Sequence, residues 1–254
     1  VRDILNWLSK RSTSALGVIP ARYGSTRLPG KPLVELNGKP MIQHVYERAN
    51  QAEVLDELVV ATDDKRIVKA VEEVDGTAVM TDRDHPTGTD RVAEVAKERE
   101  FDFTINVQGD EPLIDPNVID AVVLALRENY PEVATPISPI DDLSLLEDEN
   151  TVKVVTDAEG RALYFSRSKI PSNVTAGNAY KHIGLYGFET DLLLDYVDME
   201  SGLEAAEDLE QLRLLENGHE IQTVRTDYDA MEVNVESDIP MVEKQLQQGS
   251  EHEN

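Results

Sequence analysis

From residue 15 onward, short apolar runs alternate with segments of helical periodicity, and this alternation constrains the fold more than any other feature of the 254-residue sequence. The apolar runs suit strands buried on both faces. A β-α-β order predicts a mainly parallel twisted sheet with helices on both faces. The predicted strands are Ala15–Pro20, Leu58–Thr62, Thr77–Met80, Phe103–Val107 and Val133–Ile137, and the predicted helices are Met41–Gln51, Lys65–Val74, Thr89–Arg99 and Pro116–Asn129.

The pattern changes near residue 150, where the spacing predicts an antiparallel excursion over about residues 150–190. It begins with a hairpin in which Gly160 supplies the turn. We expect residues 1–14 to form an arm or short helix, 15–248 one domain, and 249–254 a disordered tail. The predicted elements are strands at Val152–Thr156, Ala162–Ser166, Lys181–Phe188, Ile221–Thr226 and Glu232–Val235, and helices at Glu204–Glu216 and around Met241–Gln248.

The charge is strongly negative, with 50 Asp and Glu against 24 Lys and Arg and a formal net charge of −26. Such a surface repels nucleic acid and anionic membranes, so we expect neither as a partner. A disordered acidic chain is disfavoured by the regular apolar segments. Adaptation to high salt explains the composition better, because strong screening makes a dense carboxylate surface tolerable.

The sequence has no cysteine, so any metal must be held by oxygen or imidazole, which favours Mg²⁺. No run is long and apolar enough to cross a bilayer. The first residues contain Ile4, Leu5, Trp7 and Leu8 but are too polar for the core of a signal peptide. We therefore expect a cytoplasmic protein.

The loop after the first predicted strand, from Pro20 to Pro32, concentrates the cations Arg22, Arg27 and Lys31. Glycines let its backbone approach a ligand, and N–H groups near Ser25 can cradle phosphate oxygens. Guanidinium groups bind phosphate bidentately. The alternative is a solvated basic loop that pairs with local carboxylates. The loop lacks both the P-loop pattern and the dinucleotide fingerprint.

A second polar segment, 106–112, closes the strand at Phe103–Val107. A carboxylate there can reach the same crevice as the cationic loop at 20–32, so Asp110 is a candidate Mg²⁺ ligand. The alternative makes Asp110 and Glu111 caps for the helix that starts near Pro116. Earlier in the sequence, Thr89 lies at a predicted helix start. There it either addresses a base or ribose, or it serves as an N-cap with Arg91 on the surface.

These segments together resemble the 3-deoxy-manno-octulosonate cytidylyltransferases, also called CMP-Kdo synthetases. The similarity covers nearly all of residues 15–245 and implies a single-domain nucleotide-sugar transferase α/β fold, usually a homodimer formed through the antiparallel excursion. The segments that carry it are 20–32, 37–42, 61–63, 88–91, 106–112, 162–167, 182–187 and 209–213.

The resemblance also implies roles for individual residues. It places Pro20, Arg22, Ser25, Arg27, Lys31, Thr89, Arg91 and Gln108 on CTP, and Arg167, His182, Tyr186, Glu210 and Gln211 in an acid-sugar pocket. An arginine can hold the carboxylate of such a sugar while the other side chains bind its hydroxyls. Read individually, His182 and Tyr186 also fit the edge of a core, and Glu210 and Gln211 a helix surface.

The implied reaction is in-line attack by the anomeric hydroxyl on the α-phosphorus of CTP, with Lys31, Arg22 and Asp110 as catalytic residues. The resemblance implies Mg²⁺ held by Asp110 and an aspartate at the position of Asn234, and an amide oxygen is the weaker ligand. The loop after Ile170-Pro171 also departs from the family. Two alternatives stay open: activation of another acid sugar such as a nonulosonate, and a catalytically weakened nucleotide-binding subunit. A sugar-1-phosphate nucleotidyltransferase is disfavoured because its loop is richer in glycine.

Overall fold

A computed structural model describes residues 13–25, 28–129, 131–173 and 179–252, without the side chains of 129 and 249–252. The predicted N-terminal arm lies outside these residues except for Thr13 and Ser14. The backbone N–H of Ser14 donates to the Asp102 carboxylate at 2.9 Å, just before the first strand begins.

The described elements follow the predicted order closely in the first half of the chain. The strands are β1 Ala15–Ala21, β2 Glu35–Leu36, β3 Lys39–Pro40, β4 Glu57–Thr62, β5 Ala78–Met80, β6 Phe103–Asn106, β7 Val133–Pro139, β8 Lys153–Thr156, β9 Ala162–Ser166, β10 Tyr180–His182, β11 Tyr186–Glu189 and β12 Ile221–Arg225. The helices are α1 Met41–Ala49, α2 Lys65–Glu72, α3 Gly88–Lys97, α4 Pro116–Asn129, α5 Thr190–Tyr196, α6 Gly202–Glu207, α7 Leu212–Glu216 and α8 Ile239–His252.

The main sheet has the order β5-β4-β1-β6-β11-β7-β10-β8-β9 within the described residues, and β12 pairs with β7. β5, β4, β1 and β6 run parallel, and β11 is antiparallel to both β6 and β7. Beyond β7, strands β10, β8 and β9 are antiparallel to their neighbours. The predicted parallel sheet with an antiparallel excursion is confirmed, and the carboxyl ends of β1 and β6 lie side by side.

Helices cover both faces of the sheet, as predicted. Along β1, Ala15 and Ile19 pack into one core with α1, α2, α4 and α8. The alternate residues Leu16 and Val18 pack into a second core with α3, α5 and α7. Side chains alternate between the faces of a strand, so a strand that is apolar throughout needs a helical layer on each side.

The predicted strand Lys181–Phe188 is interrupted at residues 183–185, which separate β10 from β11. Both halves pair with β7, but β10 also pairs with β8 while β11 pairs with β6. At the break, the Thr135 hydroxyl donates to the carbonyl of Leu185 at 2.8 Å, so a side chain replaces part of the strand ladder. The sequence predicts one strand here, because an apolar run does not show where a strand changes its pairing partner.

The predicted helix Glu204–Glu216 is also interrupted. Asp208 takes a left-handed conformation with φ 56° and ends α6, and α7 begins only at Leu212. This break turns Glu210 and Gln211 away from a helix surface, and Gln211 is buried. The surface reading of these two residues is therefore wrong.

The predicted strand Glu232–Val235 is wrong, because this segment pairs with no strand in the described part of the chain. Its backbone donors are taken by other groups. The N–H of Val233 donates to the carbonyl of Asp110 at 3.0 Å, and those of Asn234 and Val235 donate to the Asp238 carboxylate. The segment is thus anchored beside the end of β6 without joining the sheet.

The last helix, α8, runs to His252, whereas the sequence predicts a disordered tail from residue 249. A single glycine at 249 lowers helix propensity by only about 1 kcal/mol and does not by itself end a helix. The sequence also missed α5, whose residues Leu192 and Leu193 pack into the second core. None of the helices among the described residues has the length and apolar character needed to cross a membrane.

Candidate active site

The site begins where β1 and β6 end. The end of β1 and the loop after β6 touch backbone to backbone, because Gly109 has no side chain. A Cβ at Gly109 would lie 2.5 Å from the carbonyl oxygen of Pro20, closer than atoms can approach. The segment at Val233 docks on the same loop, so three distant parts of the sequence meet at this edge of the sheet.

The described parts of the cationic loop, up to Ser25 and from Leu28 onward, are held by backbone hydrogen bonds. The N–H of Tyr23 donates to Asp63 at 3.1 Å, and the carbonyl of Tyr23 accepts from Ser25 and Gly30. Gly30 has φ 71°, which a glycine adopts without strain, and it leads into the short 3₁₀ turn that carries Lys31. Arg22 is exposed beside this turn. Arg27 lies outside the described residues.

Lys31 forms the centre of the site. Its ammonium donates to Asp110 Oδ2 at 2.5 Å and to Asn234 Oδ1 at 3.0 Å. The side chains of Lys31 and Asp110 are 15% and 25% exposed, so the ion pair is partly shielded yet still open to a ligand. Lys31, the predicted catalytic lysine, therefore contacts each of the two predicted metal ligands directly.

The side chains around Asn234 present oxygen atoms of the kind that hold Mg²⁺. The Asn234 amide donates to Glu232 Oε2 at 2.7 Å, which places a carboxylate next to the amide oxygen that faces Lys31. No group of three or more His, Cys, Asp or Glu side chains among the described residues is arranged to hold a metal ion. Two carboxylates and an amide oxygen fit Mg²⁺, which keeps several waters and takes further oxygens from substrate phosphates.

Glu111 is buried behind Asp110 rather than capping a helix. Burial raises the pKa of Glu111 to about 8, with smaller contributions from the nearby carboxylates of Glu232 and Asp110. The Tyr228 hydroxyl donates to its Oε2 at 3.2 Å, while Oε1 has no partner among the described residues. Asp115 accepts from the N–H of Asn117 at the start of α4. The interpretation of Asp110 and Glu111 as caps for that helix is therefore wrong.

A first cleft of about 210 Å³ opens over Lys31. It gathers the predicted nucleotide residues of the described chain, with the exception of Thr89. Its lining includes Pro20, Arg22, Ser25, Lys31, Arg91 and Gln108, together with Asp110 and Asn234.

Two interpretations of the α3 start are corrected. The N-cap is Thr87, which forms a capping box with Asp90, and not Thr89. Arg91 is only 2% exposed, so it is not a surface residue, and its guanidinium donates to the Thr81 hydroxyl. Burial lowers the pKa of Arg91. The spacing of Thr87 and Asp90 is the sequence signal that identifies this cap.

A second cleft of about 610 Å³ adjoins the first, and Gln108, Asp110 and Asn234 line both. Gln108 closes the wall between β6 and the break in the next strand by donating to the carbonyl of Gly184 at 2.8 Å. All five predicted sugar residues line this second cleft: Arg167, His182, Tyr186, Glu210 and Gln211.

His182 and Tyr186 stand on either side of the strand break. Their ring centroids are 5.1 Å apart, and Phe165 meets the His182 ring edge-on at 5.2 Å. Burial lowers the pKa of His182 to about 3, and its Nε2 is 2.9 Å from the Thr135 hydroxyl. His182 is therefore neutral near pH 7 and offers one donor and one acceptor.

Glu210 is tied to β6 by a relay through Thr89. Thr89 donates to Glu210 at 2.8 Å and accepts from the Asn106 amide at 3.2 Å. Thr89 thus lies on the second cleft, whereas the sequence predicts that Thr89 contacts the nucleotide. Burial raises the pKa of Glu210.

Two buried polar atoms of the second cleft have no partner among the described residues, Asn106 Oδ1 and Gln211 Nε2. An unpaired buried polar group costs about 1–3 kcal/mol, which a bound ligand can recover. The sequence prediction missed Asn106. Its signal is a polar residue at the end of an otherwise buried strand, next to Gln108 and Asp110.

Arg167 follows β9 at the mouth of the second cleft. Its guanidinium donates to the carbonyls of Glu149 and Asp208 at 3.2 and 3.3 Å. These contacts leave N–H donors for an anion, since a guanidinium carries five.

The chain matches the family described as Cytidylyltransferase over residues 16–221. It is 47% identical to the 3-deoxy-manno-octulosonate cytidylyltransferase of Geotalea uraniireducens over 244 residues, covering 90% of this chain and 97% of that protein. The same-named protein of Leptospira interrogans is 46% identical over 232 residues, 89% and 94% of the two chains.

Two solved structures share the fold. The structure of CMP:2-keto-3-deoxy-manno-octonic acid synthetase complexed with CTP matches with a TM-score of 0.89 and 43% identity, covering 93% of this chain and all of that one. The 4-diphosphocytidyl-2C-methyl-D-erythritol synthase of Anaerococcus prevotii matches with a TM-score of 0.66 over 92% of this chain, and its 17% identity supports the fold alone. This chain belongs to the 3-deoxy-manno-octulosonate cytidylyltransferase family.

Proposed function

We propose that this protein transfers CMP from CTP to 3-deoxy-manno-octulosonate and releases pyrophosphate. The observation that carries the proposal is the wall shared by the two clefts, where Gln108, Asp110 and Asn234 line both. A nucleotide in the first cleft and an acid sugar in the second would bring their reacting ends together beside Lys31. Family membership supports the same pair of substrates.

The first cleft suits a triphosphate. Arg22, Ser25 and Lys31 line it, and the loop backbone around Tyr23 is held in place from Asp63. Guanidinium and ammonium groups bind phosphate by charge-assisted hydrogen bonds. Lys31 can turn from Asp110 towards a phosphate because its stem is flexible and its ammonium has three donors.

The second cleft suits a polyhydroxylated acid. Arg167 at its mouth would hold the carboxylate, since a guanidinium and a carboxylate match in shape and charge. His182, Tyr186, Glu210 and Gln211 would hydrogen-bond the hydroxyls. The relay through Thr89 fixes Glu210, so the pocket is arranged before the sugar binds.

The reaction is an in-line displacement at the α-phosphorus. A bond forms from the anomeric oxygen at sugar C2 to that phosphorus, the bond from phosphorus to the bridging oxygen of pyrophosphate breaks, and the hydroxyl proton passes to solvent. Lys31 and Arg22 stabilise the charge that develops on the phosphate oxygens. The protein needs no covalent intermediate.

Asp110 and Asn234 would hold Mg²⁺, with the Glu232 carboxylate next to the Asn234 amide. When bound, the ion neutralises phosphate charge and helps orient the triphosphate. A neutral amide binds Mg²⁺ less tightly than a carboxylate does, so Asn234 is the one feature here that favours a nucleotide-binding subunit with weakened catalysis.

The test is pyrophosphate release from CTP and Mg²⁺ in molar KCl, with and without 3-deoxy-manno-octulosonate. We expect release that depends on the sugar and that Lys31→Met abolishes. Lys39→Met is the matched control, because Lys39 pairs with Glu47 outside both clefts. Release only with a nonulosonate would reassign the acceptor. CTP binding without release, with either sugar, would reject the transferase and favour the weakened subunit.

We also propose that the protein is a homodimer joined through the strands β8, β9 and β10. β9 ends the sheet, and Leu163 on it is 61% exposed. An apolar edge strand of this kind needs a cover. Sedimentation in molar KCl should give a dimer that Leu163→Glu dissociates, and a monomeric wild-type protein would reject this assembly.

A further inference from the structure

Lys153, the first residue of β8, is a fully buried cation that the residues assigned above do not explain. It has 0% exposure. Its ammonium donates to the carbonyls of Asp148 at 2.9 Å and Thr151 at 2.8 Å, and to the carbonyl of Arg167. These bonds use all three of its donors. No ion pair among the described residues includes Lys153. The groups that contact its ammonium are therefore backbone oxygens, and the carboxylates of Asp148, Glu147 and Glu149 act on it only from a distance.

Burying an ammonium group has a large free-energy penalty, so a buried lysine at this position requires an explanation. Removing such a charge from water costs several kcal/mol even after relaxation. Burial accordingly lowers the pKa of Lys153. A leucine or methionine would fill the same space in the sheet without that cost, so the position calls for a cation and not for bulk.

The three carbonyls belong to two segments that frame the second cleft. Asp148 and Thr151 are the ends of a tight turn, closed by the Thr151 N–H, which donates to the Asp148 carbonyl at 3.1 Å. Arg167 belongs to the segment that follows β9. Turn residues Asn150 and Thr151 line the cleft, as does Arg167. A single ammonium therefore joins the turn to the backbone of Arg167.

The turn in its turn holds the side chain of Arg167. The guanidinium donates to the carbonyl of Glu149, which lies inside the 148–151 turn, at 3.2 Å. Lys153 thus supports both ends of Arg167, the main chain directly and the guanidinium through the turn, and the carbonyl of Asp208 provides the second contact of the guanidinium. If the turn moved, the guanidinium would lose this support and its aim into the cleft.

We propose that Lys153 is a positioning residue for the acid sugar: its buried ammonium locks the 148–151 turn to Arg167 and thereby aims the guanidinium at the carboxylate of the sugar. This inference rests on the proposed function of the second cleft. It assigns Lys153 to recognition of one substrate only. The first cleft is lined by Arg22, Lys31 and Gln108, none of which contacts Lys153, so CTP binding should not depend on it.

The experiment compares Lys153→Met with wild type in steady-state kinetics with each substrate varied and in direct CTP binding by calorimetry. We expect KM for 3-deoxy-manno-octulosonate to rise about tenfold or more, since a misaimed guanidinium loses a charge-assisted hydrogen bond. The Kd for CTP should stay at the wild-type value. Lys69→Met is the matched control, because Lys69 pairs with Glu73 on the surface and lines neither cleft.

Chemical rescue separates positioning from simple loss of stability. Lys153→Ala removes the equivalent of propylamine, so propylammonium should restore the KM for the sugar, and propanol, which has a similar shape without the charge, should not. Lys153→Arg keeps the charge and tests the geometry if the methionine variant does not fold: with an intact CTP site, its KM for the sugar should still be raised.

Four results would overturn the inference. A wild-type sugar KM in Lys153→Met, or sugar and CTP constants that worsen together, would give Lys153 a purely structural role. Equal rescue by propanol would show that volume, not charge, matters. If wild-type protein binds CTP but turns over neither sugar, the proposed function itself fails and the inference fails with it, an outcome that the wild-type arm alone reveals.

Discussion

Adding one methyl group at Gly109 should separate the loop after β6 from the end of β1. The substitution Gly109→Ala would place a Cβ 2.5 Å from the carbonyl oxygen of Pro20, whereas ordinary van der Waals contact begins at 3.4 Å. The atom that this Cβ would meet belongs to the backbone, so no side chain can rotate away to make room. The two strand ends must therefore part by about 0.9 Å in a densely packed region.

Overpacking of this kind costs about 1–3 kcal/mol. For a domain of this size, about 2–4 °C of Tm is lost per kcal/mol, so we expect Tm to fall by about 2–12 °C. The displaced loop carries Asp110, which contacts Lys31 at 2.5 Å. A misplacement near 1 Å can lower catalysis by about 10²-fold, so kcat should drop more steeply than stability.

The assay pairs thermal unfolding in molar KCl with pyrophosphate release at saturating CTP and sugar. Gly202→Ala is the matched control, because a Cβ at Gly202 would lie 3.6 Å from the end of the Glu216 side chain, an ordinary van der Waals contact, and Gly202 lines neither cleft. A Gly109→Ala protein that is as stable and as active as Gly202→Ala would refute the close approach of Gly109 to the end of β1.

Three further outcomes are expected. Burial lowers the pKa of His182 from 6.5 to about 3, so as pH falls below 6.5 the unfolded chain binds a proton at this site that the folded chain does not, and stability is lost. Urea unfolding should show a free energy of unfolding that is up to about 2 kcal/mol lower at pH 5 than at pH 7.5. His182→Gln should lack this loss, and equal losses in the two proteins would contradict the prediction. Asn234→Asp should lower the Mg²⁺ concentration for half-maximal turnover by about tenfold and should tighten Mn²⁺ binding measured by electron paramagnetic resonance. The control Asn50→Asp, at the exposed end of α1, should change neither. An unchanged metal dependence in Asn234→Asp would show that Asn234 is not part of the metal site. With a formal charge of −26, the protein should gain Tm as KCl rises from low to molar concentration, and a falling Tm would contradict adaptation to salt.

The fold could be predicted from the sequence where burial is simple. β1 is apolar at every position and buried on both faces, so its pattern has one interpretation. The site was located for a related reason: cations follow β1, Asp110 follows β6, and parallel neighbours end at the same edge. Pairing partners were beyond reach, because nothing local in residues 180–189 says that the first half pairs with β8 and the second with β6.

The errors have a common physical origin, which is a side chain that competes for backbone hydrogen bonds. Asp238 takes the N–H groups of Asn234 and Val235, so the predicted strand there does not form. Thr135 donates to the carbonyl of Leu185 and helps to divide the predicted strand at 183–185. Periodicity records where side chains point and not which donors they capture, so it predicts a regular element in both places.

The irregularities also fall on the clefts rather than at random. The break after β10 sets His182 and Tyr186 around the second cleft, the break after α6 turns Gln211 inward, and the unpaired segment at Val233 brings Asn234 to Lys31. In a regular strand or helix, those backbone groups would hydrogen-bond within the sheet or helix, and the side chains would lie on its surface. Regular patterns are broken where a chain must direct polar groups at a ligand. The departures at Asp208, Gly184 and Val233 therefore support a binding site independently of the charge pattern. They lie around the place that the cationic loop alone first indicated.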